Sequence, residues 1–318
     1  MQQPSAAATH RVLSDVIAVP GSYCIYDRSG HRIDETVSWT AGRRRGPTPA
    51  SIDPAAVVET VRERVTFGGL LPKSHFGHVL LEAFSRLWVF DAGVVAPGTP
   101  IVHFTHYGRD LEPFEQVLFD AALAGTRAPL RPVTRPIRIE EIVAPSQAII
   151  LEQPMVPAVI PVYDRIRDQL VGDVVADDRP LYLSRSRLGE DRRRTLGERA
   201  LEQGLEQRGV RVVHAQEHPL VEQIRMVASA RTVIGLYGSA LHLTILRGIE
   251  GARTISIDPR TPFGVQRDVD ELRGSRFIHL HAQLPLHPRL PRRRTLEIGP
   301  YRNFVLPRRT LRALDRML

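Results

Sequence analysis

Between Arg231 and Gly248 the chain reads Arg-Thr-Val-Ile-Gly-Leu-Tyr-Gly-Ser-Ala-Leu-His-Leu-Thr-Ile-Leu-Arg-Gly. An apolar, β-branched run ends at Ile234, two glycines follow within four residues, and Ala240 to Gly248 reads as a helix. Strand, tight glycine turn and helix in that order restrict the chain to α/β architectures. Such a turn also has a chemical character. Backbone N–H groups and the positive end of the helix dipole point out of it, toward an anion such as a diphosphate. Gly235, Tyr237, Gly238, Ser239 and Ala240 are therefore candidate binding residues. An ordinary βα turn has the same pattern, so the rest of the chain must decide between the two.

The alternation extends well beyond this segment. Residues 11 to 40 alternate apolar and polar and turn at Arg28-Ser29-Gly30, as short antiparallel strands do. A polar loop from Ala41 to Ser51 precedes a helix capped by Asp53, with Pro54 at its first position. Strand Val65–Leu71, a helix from about Ser74 to Asp91, strand Pro100–Phe104, helix Glu112–Ala124 and strand Arg138–Val143 follow. A helix is expected over Val162–Val171, and Asp173–Arg179, polar and aperiodic, reads as a linker. A second series begins there: strand Pro180–Ser184, helix Thr195–Arg208, strand Val210–His214, helix Pro219–Ala230, the glycine turn, and strand Thr254–Asp258. A basic helix, Leu306–Leu318, closes the chain and could dock through Leu311, Leu314 and Leu318. Strands alternating with helices of this length imply right-handed βαβ units and parallel sheets. The expectation is two α/β domains, 1–172 and 173–318, with a ligand in the cleft between them.

Composition excludes several classes of function. The only cysteine, Cys24, allows neither an internal disulfide nor a thiolate zinc site. Met1–Thr9 lacks the basic-then-apolar pattern of a signal peptide, and no apolar run approaches the roughly 20 residues of a spanning helix. A cytoplasmic protein is expected. The net charge is +8, and every basic residue except Lys73 is arginine. Triplets at Arg43–Arg45, Arg192–Arg194 and Arg292–Arg294 lie in polar surroundings without interleaved aromatics. No nucleic-acid partner is expected, but an anionic one is.

Two clusters carry candidate chemistry. His75, His78 and Glu82 are spaced i, i+3 and i+7, on one face of the expected helix, while Leu80, Leu81, Phe84 and Leu87 mark the core flank. Two imidazoles and a carboxylate could serve as general acid and base. With His103 or His106 they could instead hold a metal, as in a metal-dependent hydrolase. The second cluster, Ser184-Arg185-Ser186-Arg187, follows a strand at the edge where open α/β sheets bind ligands, and a guanidinium fork there suits phosphate oxygens. Glu217 and Glu222, ahead of the glycine turn, could meet a ribose or sugar hydroxyl. The chain contains no Gly-x-Ser-x-Gly elbow, no phosphate loop ending in Gly-Lys-Ser/Thr and no Asp-x-Asp motif.

Taken together, these segments resemble the family 61 glycosyltransferases, a group that includes bacterial capsule-biosynthesis-type proteins. His78-Val79-Leu80-Leu81-Glu82 with Arg86-Leu87 looks like the family's His-x-Leu-Leu-Glu/Asp segment. Ser184-Arg185 with Arg194 and Glu198 is similar to its Ser-Arg…Arg-x-x-Asn-Glu segment. Glu222-Gln223, Ala230 and Gly235-Leu236-Tyr237-Gly238-Ser239-Ala240-Leu241 resemble its Glu-Gln…Ala…Gly-x-His-Gly-Ala/Ser-x-Leu segment. The chain departs from the pattern at His75, Tyr237, Gly197 and Leu243, where the family has Asn, His, Asn and Asn.

The resemblance implies a GT-B-like pair of Rossmann-type domains and an inverting mechanism without cofactor or metal. Its donor would be a nucleotide sugar, a UDP-linked one first, and its acceptor a glycan or lipid-linked molecule in cell-surface polysaccharide synthesis. Glu82 or His78 would be the base, Glu82 preferred, with His78 then orienting it or the acceptor and His75 orienting the acceptor or substrate. Arg185 and the amides of Gly238, Ser239 and Ala240 would receive the leaving diphosphate, aided by Arg187 and Tyr237. Peripheral contact with an anionic membrane face would suit a lipid-linked acceptor. The departures leave open a degenerate glycan- or nucleotide-binding protein without turnover.

Overall fold

The computed structural model describes residues 7–72, 75–188, 195–258, 264–281, 304–305 and 308–318. Lys73, Ser74 and the triplets Arg192–Arg194 and Arg292–Arg294 lie outside these ranges. The chain divides into two compact units, Met1–Leu170 and Val171–Leu318.

The first unit is built on a mixed seven-stranded sheet. Its strands are β1 (His10–Ala18), β2 (Ile25–Tyr26), β5 (Glu59–Val61), β6 (Val65–Leu70), β7 (Ile101–Phe104), β8 (Leu130–Pro132) and β9 (Ile137–Pro145). The order is β2-β1-β9-β6-β7-β8, with β5 also paired to β9. β1 lies antiparallel to β2 and β9, while β9, β6, β7 and β8 run parallel. A separate hairpin joins β3 (Trp39–Thr40) to β4 (Arg43–Arg44). The helices are α1 (Phe76–Glu82), α2 (Trp88–Asp91), α3 (Pro113–Ala122) and α4 (Ile160–Val171). Val65, Phe67, Val102, Phe104, Ile139 and Ile142 form the centre of the core. Such residues alternate across strands that are covered on both faces, as parallel strands must be.

The second unit is the βα series expected from its sequence. Its main sheet has the order β12-β10-β13-β14-β15 and is parallel throughout. The strands are β10 (Leu181–Ser184), β12 (Arg211–His214), β13 (Thr232–Leu236), β14 (Arg253–Asp258) and β15 (Arg276–His281). A small pair joins β11 (Thr195–Leu196) to β16 (Phe304–Val305). Helices α5 (Glu198–Glu206), α6 (Leu220–Ser229), α7 (Gly264–Leu272) and α8 (Arg308–Asp315) complete it. Leu201 and Leu205 of α5 and Leu314 of α8 join the sheet core, with Leu311 half-buried beside them, whereas Leu318 is exposed.

Four local expectations change. The helix expected over 74–91 is broken between Glu82 and Trp88. Its C-terminal carbonyls at Leu80 and Leu81 are taken by the Tyr163 hydroxyl at 2.8 and 3.1 Å. Beyond them Ser85 Oγ accepts from Ile149 N–H at 2.8 Å, and the buried Arg86 guanidinium donates to the Pro145 and Val37 carbonyls. These tertiary bonds replace the helical ladder. The helix capped by Asp53 is one 3₁₀ turn, Pro54–Ala56, although Asp53 does accept from Ala55 N–H.

The segment after the glycine turn is a 3₁₀ helix, Ser239–Leu246, with i→i+3 bonds such as Leu241 N–H to Gly238 C=O. From Leu241 onward it is buried on every side, with no polar face, and its His242 and Thr244 bond Gln266 of α7. The expected linker is tied down as well: Asp177 N–H donates to Ser229 C=O and its carbonyl accepts from Arg231 N–H. Among the described residues no helix is long and apolar enough to cross a membrane.

Candidate functional site

The N-terminal cluster forms where β6 ends and α1 begins. His75 caps α1 with extended backbone, and its ring packs edge-on against His78 at 5.1 Å. His78 Nδ1 lies 2.6 Å from Glu82 Oε2. A third member comes from outside the helix: Arg45, immediately after the β3–β4 hairpin, bonds Glu82 Oε2 through Nη2 and lies 3.1 Å from His78 Nδ1. The sequence reading placed Arg45 in an arginine triplet in polar surroundings, without a role in this cluster. Only the fold, which ties Arg45 N–H to Ser38 C=O, turns it inward.

This trio has a definite protonation pattern. Burial raises the Glu82 pKa, but the hydrogen bond from His78 and the charge of Arg45 outweigh it, and the carboxyl is held below its ordinary value. Glu82 is thus an ionised acceptor, and in the tautomer that donates to it the proton sits on His78 Nδ1, which leaves the Nε2 lone pair open. The His78 side chain is 39% exposed and that of Glu82 only 3%. Among the described residues Arg45 Nε is buried without a hydrogen-bond partner, and Thr40 lies beside the Glu82 carboxylate, where it favours the charged form.

The other histidines do not join this group. His103 is buried within β7, where burial lowers its pKa to about 4, and His106 packs against Tyr23 at 5.4 Å. Among the described residues no group of three or more His, Cys, Asp or Glu side chains is placed to hold a metal ion. The His/Glu metal-hydrolase alternative therefore has no assembled ligand set. Cys24 is buried, and burial pushes its thiol up to about 11, far from a reactive thiolate.

The second cluster lies along the C-terminal edge of the parallel sheet in the second unit. β10 ends at Ser184, and Glu198 holds the loop that follows. Its Oε1 accepts from Tyr182 Oη at 2.9 Å, Arg185 N–H at 2.8 Å and Ser184 Oγ at 3.4 Å. Ser184 Oγ also donates to Glu202. Glu198 is buried, and that burial raises its pKa. The Ser-Arg and Glu elements of the sequence pattern, thirteen residues apart, therefore meet as one hydrogen-bonded unit. Gly197 starts α5 at φ 86°, a left-handed conformation that asparagine shares with glycine, so this departure preserves the backbone shape.

Arg185 reaches the glycine turn on the next strand. A Cβ at Gly238 would run into the Arg185 Nη1 atom. Gly238 is itself extended, so glycine is needed there for this close approach. Ser239 and Ala240 begin the 3₁₀ helix, where backbone N–H groups have no intrahelical partner. Gly235, by contrast, lies inside β13 and makes room for Leu241, whose Cδ2 would stand 3.0 Å from a Cβ there. It shapes the turn and does not line it.

Tyr237 N–H extends the ladder to Ile257 C=O, and its ring stands 6.3 Å from that of His242. Leu243 is fully buried, so this departure is a matter of core packing. Arg187 pairs with Glu217 at 2.9 Å across the ends of β10 and β12, and Glu222 is taken by His218 at 3.1 Å.

No curated protein sequence matches the chain. Among solved structures, the E. coli heptosyltransferase WaaC with ADP is similar to it, with 12% identity and a TM-score of 0.34 over 68% of this chain and 93% of that one. The sequence profile described as Glycosyltransferase 61 matches residues 76–252, from the first residue of α1 to the strand after the glycine turn. His78, Glu82, Arg185 and the glycine turn fall inside that match and His75 and Arg45 ahead of it; with more than half of its length matched, the chain belongs to glycosyltransferase family 61.

Proposed function

We propose that this glycosyltransferase is an inverting enzyme of the GT-B kind. It moves a sugar from a nucleotide diphosphate, UDP first among the candidates, to a glycan or lipid-linked acceptor in cell-surface polysaccharide synthesis, without a metal. The observation that carries the reading is the Arg185 guanidinium resting on Gly238 at the C-terminal edge of a parallel sheet. A planar cation beside the opening amides of a 3₁₀ turn is suited to two phosphate groups.

The chemistry is a single displacement. The acceptor hydroxyl oxygen bonds to the anomeric carbon while the bond from that carbon to the phosphate oxygen breaks. His78 Nε2 takes the hydroxyl proton, and Glu82 stabilises the resulting imidazolium through Nδ1. The sequence alone favoured Glu82 as the base. Its burial, its ion pair with Arg45 and its lowered pKa support the reverse assignment, with His78 the base and Glu82 the positioning residue. His75 packs on His78 and would orient the acceptor. The leaving diphosphate gathers charge beside Arg185 and the amides of Gly238, Ser239 and Ala240. Tyr237 borders this turn. Arg187 is half-neutralised by Glu217, whose carboxylate suits a ribose diol better than a phosphate.

The test is binding of a panel of nucleotides and nucleotide sugars to the purified chain, with and without a chelator. Chelator-insensitive binding that falls about tenfold or more in Arg185→Ala supports the donor site. His78→Ala and Glu82→Gln should keep that binding and lose turnover by roughly 100-fold or more. Unchanged nucleotide affinity in Arg185→Ala would remove the basis of the reading.

A further inference from the structure

The first unit contains a cavity of about 450 Å³ that the chemistry above does not use. It is lined by His103 at the end of β7, by Leu130 and Pro132 of β8, and by residues of α3 and its flanking turns. β6, β7 and β8 are parallel neighbours, and α1 follows β6. The cavity therefore reaches the C-terminal sheet edge that carries His78 at Thr105, Arg109 and Asp110, and runs from there along α3 to Leu123, Arg127 and Leu130, where β8 begins. Strands are spaced by about 4.8 Å, so β7 and β8 stand roughly 5 and 10 Å along that edge from β6. That span is comparable to one or two pyranose rings. Two contacts tie the regions together: Phe76 packs on Phe114 at 5.9 Å, and Arg109 Nη2 donates to Pro72 C=O at 2.8 Å.

The charge on the cavity wall selects against phosphate. Arg109 is committed to buried Glu115, donating to both carboxylate oxygens at 2.6 Å. Of the remaining lining charges, Asp110 and Asp120 outnumber Arg127. His103 is buried, and burial keeps its imidazole neutral. The wall thus offers the Asp110 and Asp120 carboxylates, the Gln116 amide, whose Nε2 donates to Asp120 Oδ1 at 2.7 Å and leaves Oε1 and the other carboxylate oxygen for a ligand, and a neutral ring beside the apolar surface of Leu130 and Pro132. Alternating donors and acceptors next to a small apolar face match a polyhydroxylated ring. Among the described residues two wall side chains also hold a buried nitrogen without a partner, His103 Nδ1 and Arg109 Nε.

We infer that this cavity binds a neutral saccharide unit, the part of the acceptor adjoining the hydroxyl that receives the sugar. The assignment as an acceptor subsite rests on the transferase reading above. Saturation-transfer NMR on the full chain tests it, with neutral methyl glycosides and disaccharides of glucose, galactose, xylose and N-acetylglucosamine as probes. Glucuronic acid and glucose 6-phosphate serve as anionic controls, and UDP is titrated in parallel. Gln116→Ala and Asp120→Ala change exposed positions of α3 and should leave the fold intact by circular dichroism.

The expected result is binding of at least one neutral saccharide, weakened about tenfold by either variant, with anionic sugars weaker and UDP affinity unchanged. No binding by any neutral probe, binding insensitive to both variants, or equal binding of the anionic controls would overturn the proposal. Variant-sensitive saccharide binding without any nucleotide binding would support the cavity as a saccharide site and count against the transferase mechanism alone.

Discussion

Arg45 bears on the charge of Glu82, the buried member of the α1 pair. Burial alone would push the Glu82 carboxyl toward its neutral form; the hydrogen bond from His78 and the charge of Arg45 together hold its pKa down. In the proposed mechanism an ionised Glu82 leaves the role of proton acceptor to His78. The consequence can be read in stability as well as in turnover. Because the Glu82 pKa is lowered in the folded state, its ionised form contributes stability at pH values above its ordinary 4.5. That contribution is lost as pH falls below 4.5 and through the lowered folded value. Chemical denaturation followed across this acid range should show wild-type stability falling more steeply than that of Glu82→Gln; parallel profiles would contradict the ion pair. The spacing of His78 and Glu82 was legible because it is local to one helix. Arg45 was not, since its partner lies 37 residues away and nothing in an arginine triplet distinguishes an inward side chain from a solvated one.

At the scale of elements, the parallel strands were the most legible part of the chain. Runs such as Thr-Val-Ile-Gly-Leu in β13 and Arg-Thr-Ile-Ser-Ile-Asp in β14 are buried almost throughout, and their apolar content announces it. Helices were legible only where local bonding governs them. The α3 start was readable from Glu112 and Pro113, and Glu112 N–H does donate to Glu115 Oε2 at 2.8 Å. The ends of α1 and the 3₁₀ form of Ser239–Leu246 were not readable, because Tyr163, Ser85 and Gln266 act on them from afar. The glycine turn shows both sides of this. Its pattern pointed to a binding turn, yet its two glycines have different tasks, one under Leu241 and one under Arg185. Gly238→Ala should displace the guanidinium while the extended backbone tolerates the methyl group. Nucleotide affinity should then drop about tenfold with little change in melting temperature. Calorimetric titration and a thermal melt of the same sample would separate the two effects.

The whole molecule carries the His78–Glu82–Arg45 group in a mixed-sheet unit and Arg185 in a parallel-sheet unit, and its surplus of eight positive charges bears on the proposed membrane contact. If a lipid-linked acceptor is used, the chain should co-sediment with phosphatidylserine vesicles more than with phosphatidylcholine vesicles, and rising salt should release it. Equal sedimentation with both would detach the membrane from the proposal. The position of Arg45 has a practical side. The stretch that identifies the family begins at residue 76, whereas the cation that tunes its first motif stands 31 residues upstream. A protein trimmed to the recognisable segment would discard His75, the hairpin, the strand ahead of α1 and the counter-charge. If the proposed mechanism holds, expression designed on family likeness alone would yield a chain without the guanidinium that pairs with Glu82, and its turnover should fall accordingly.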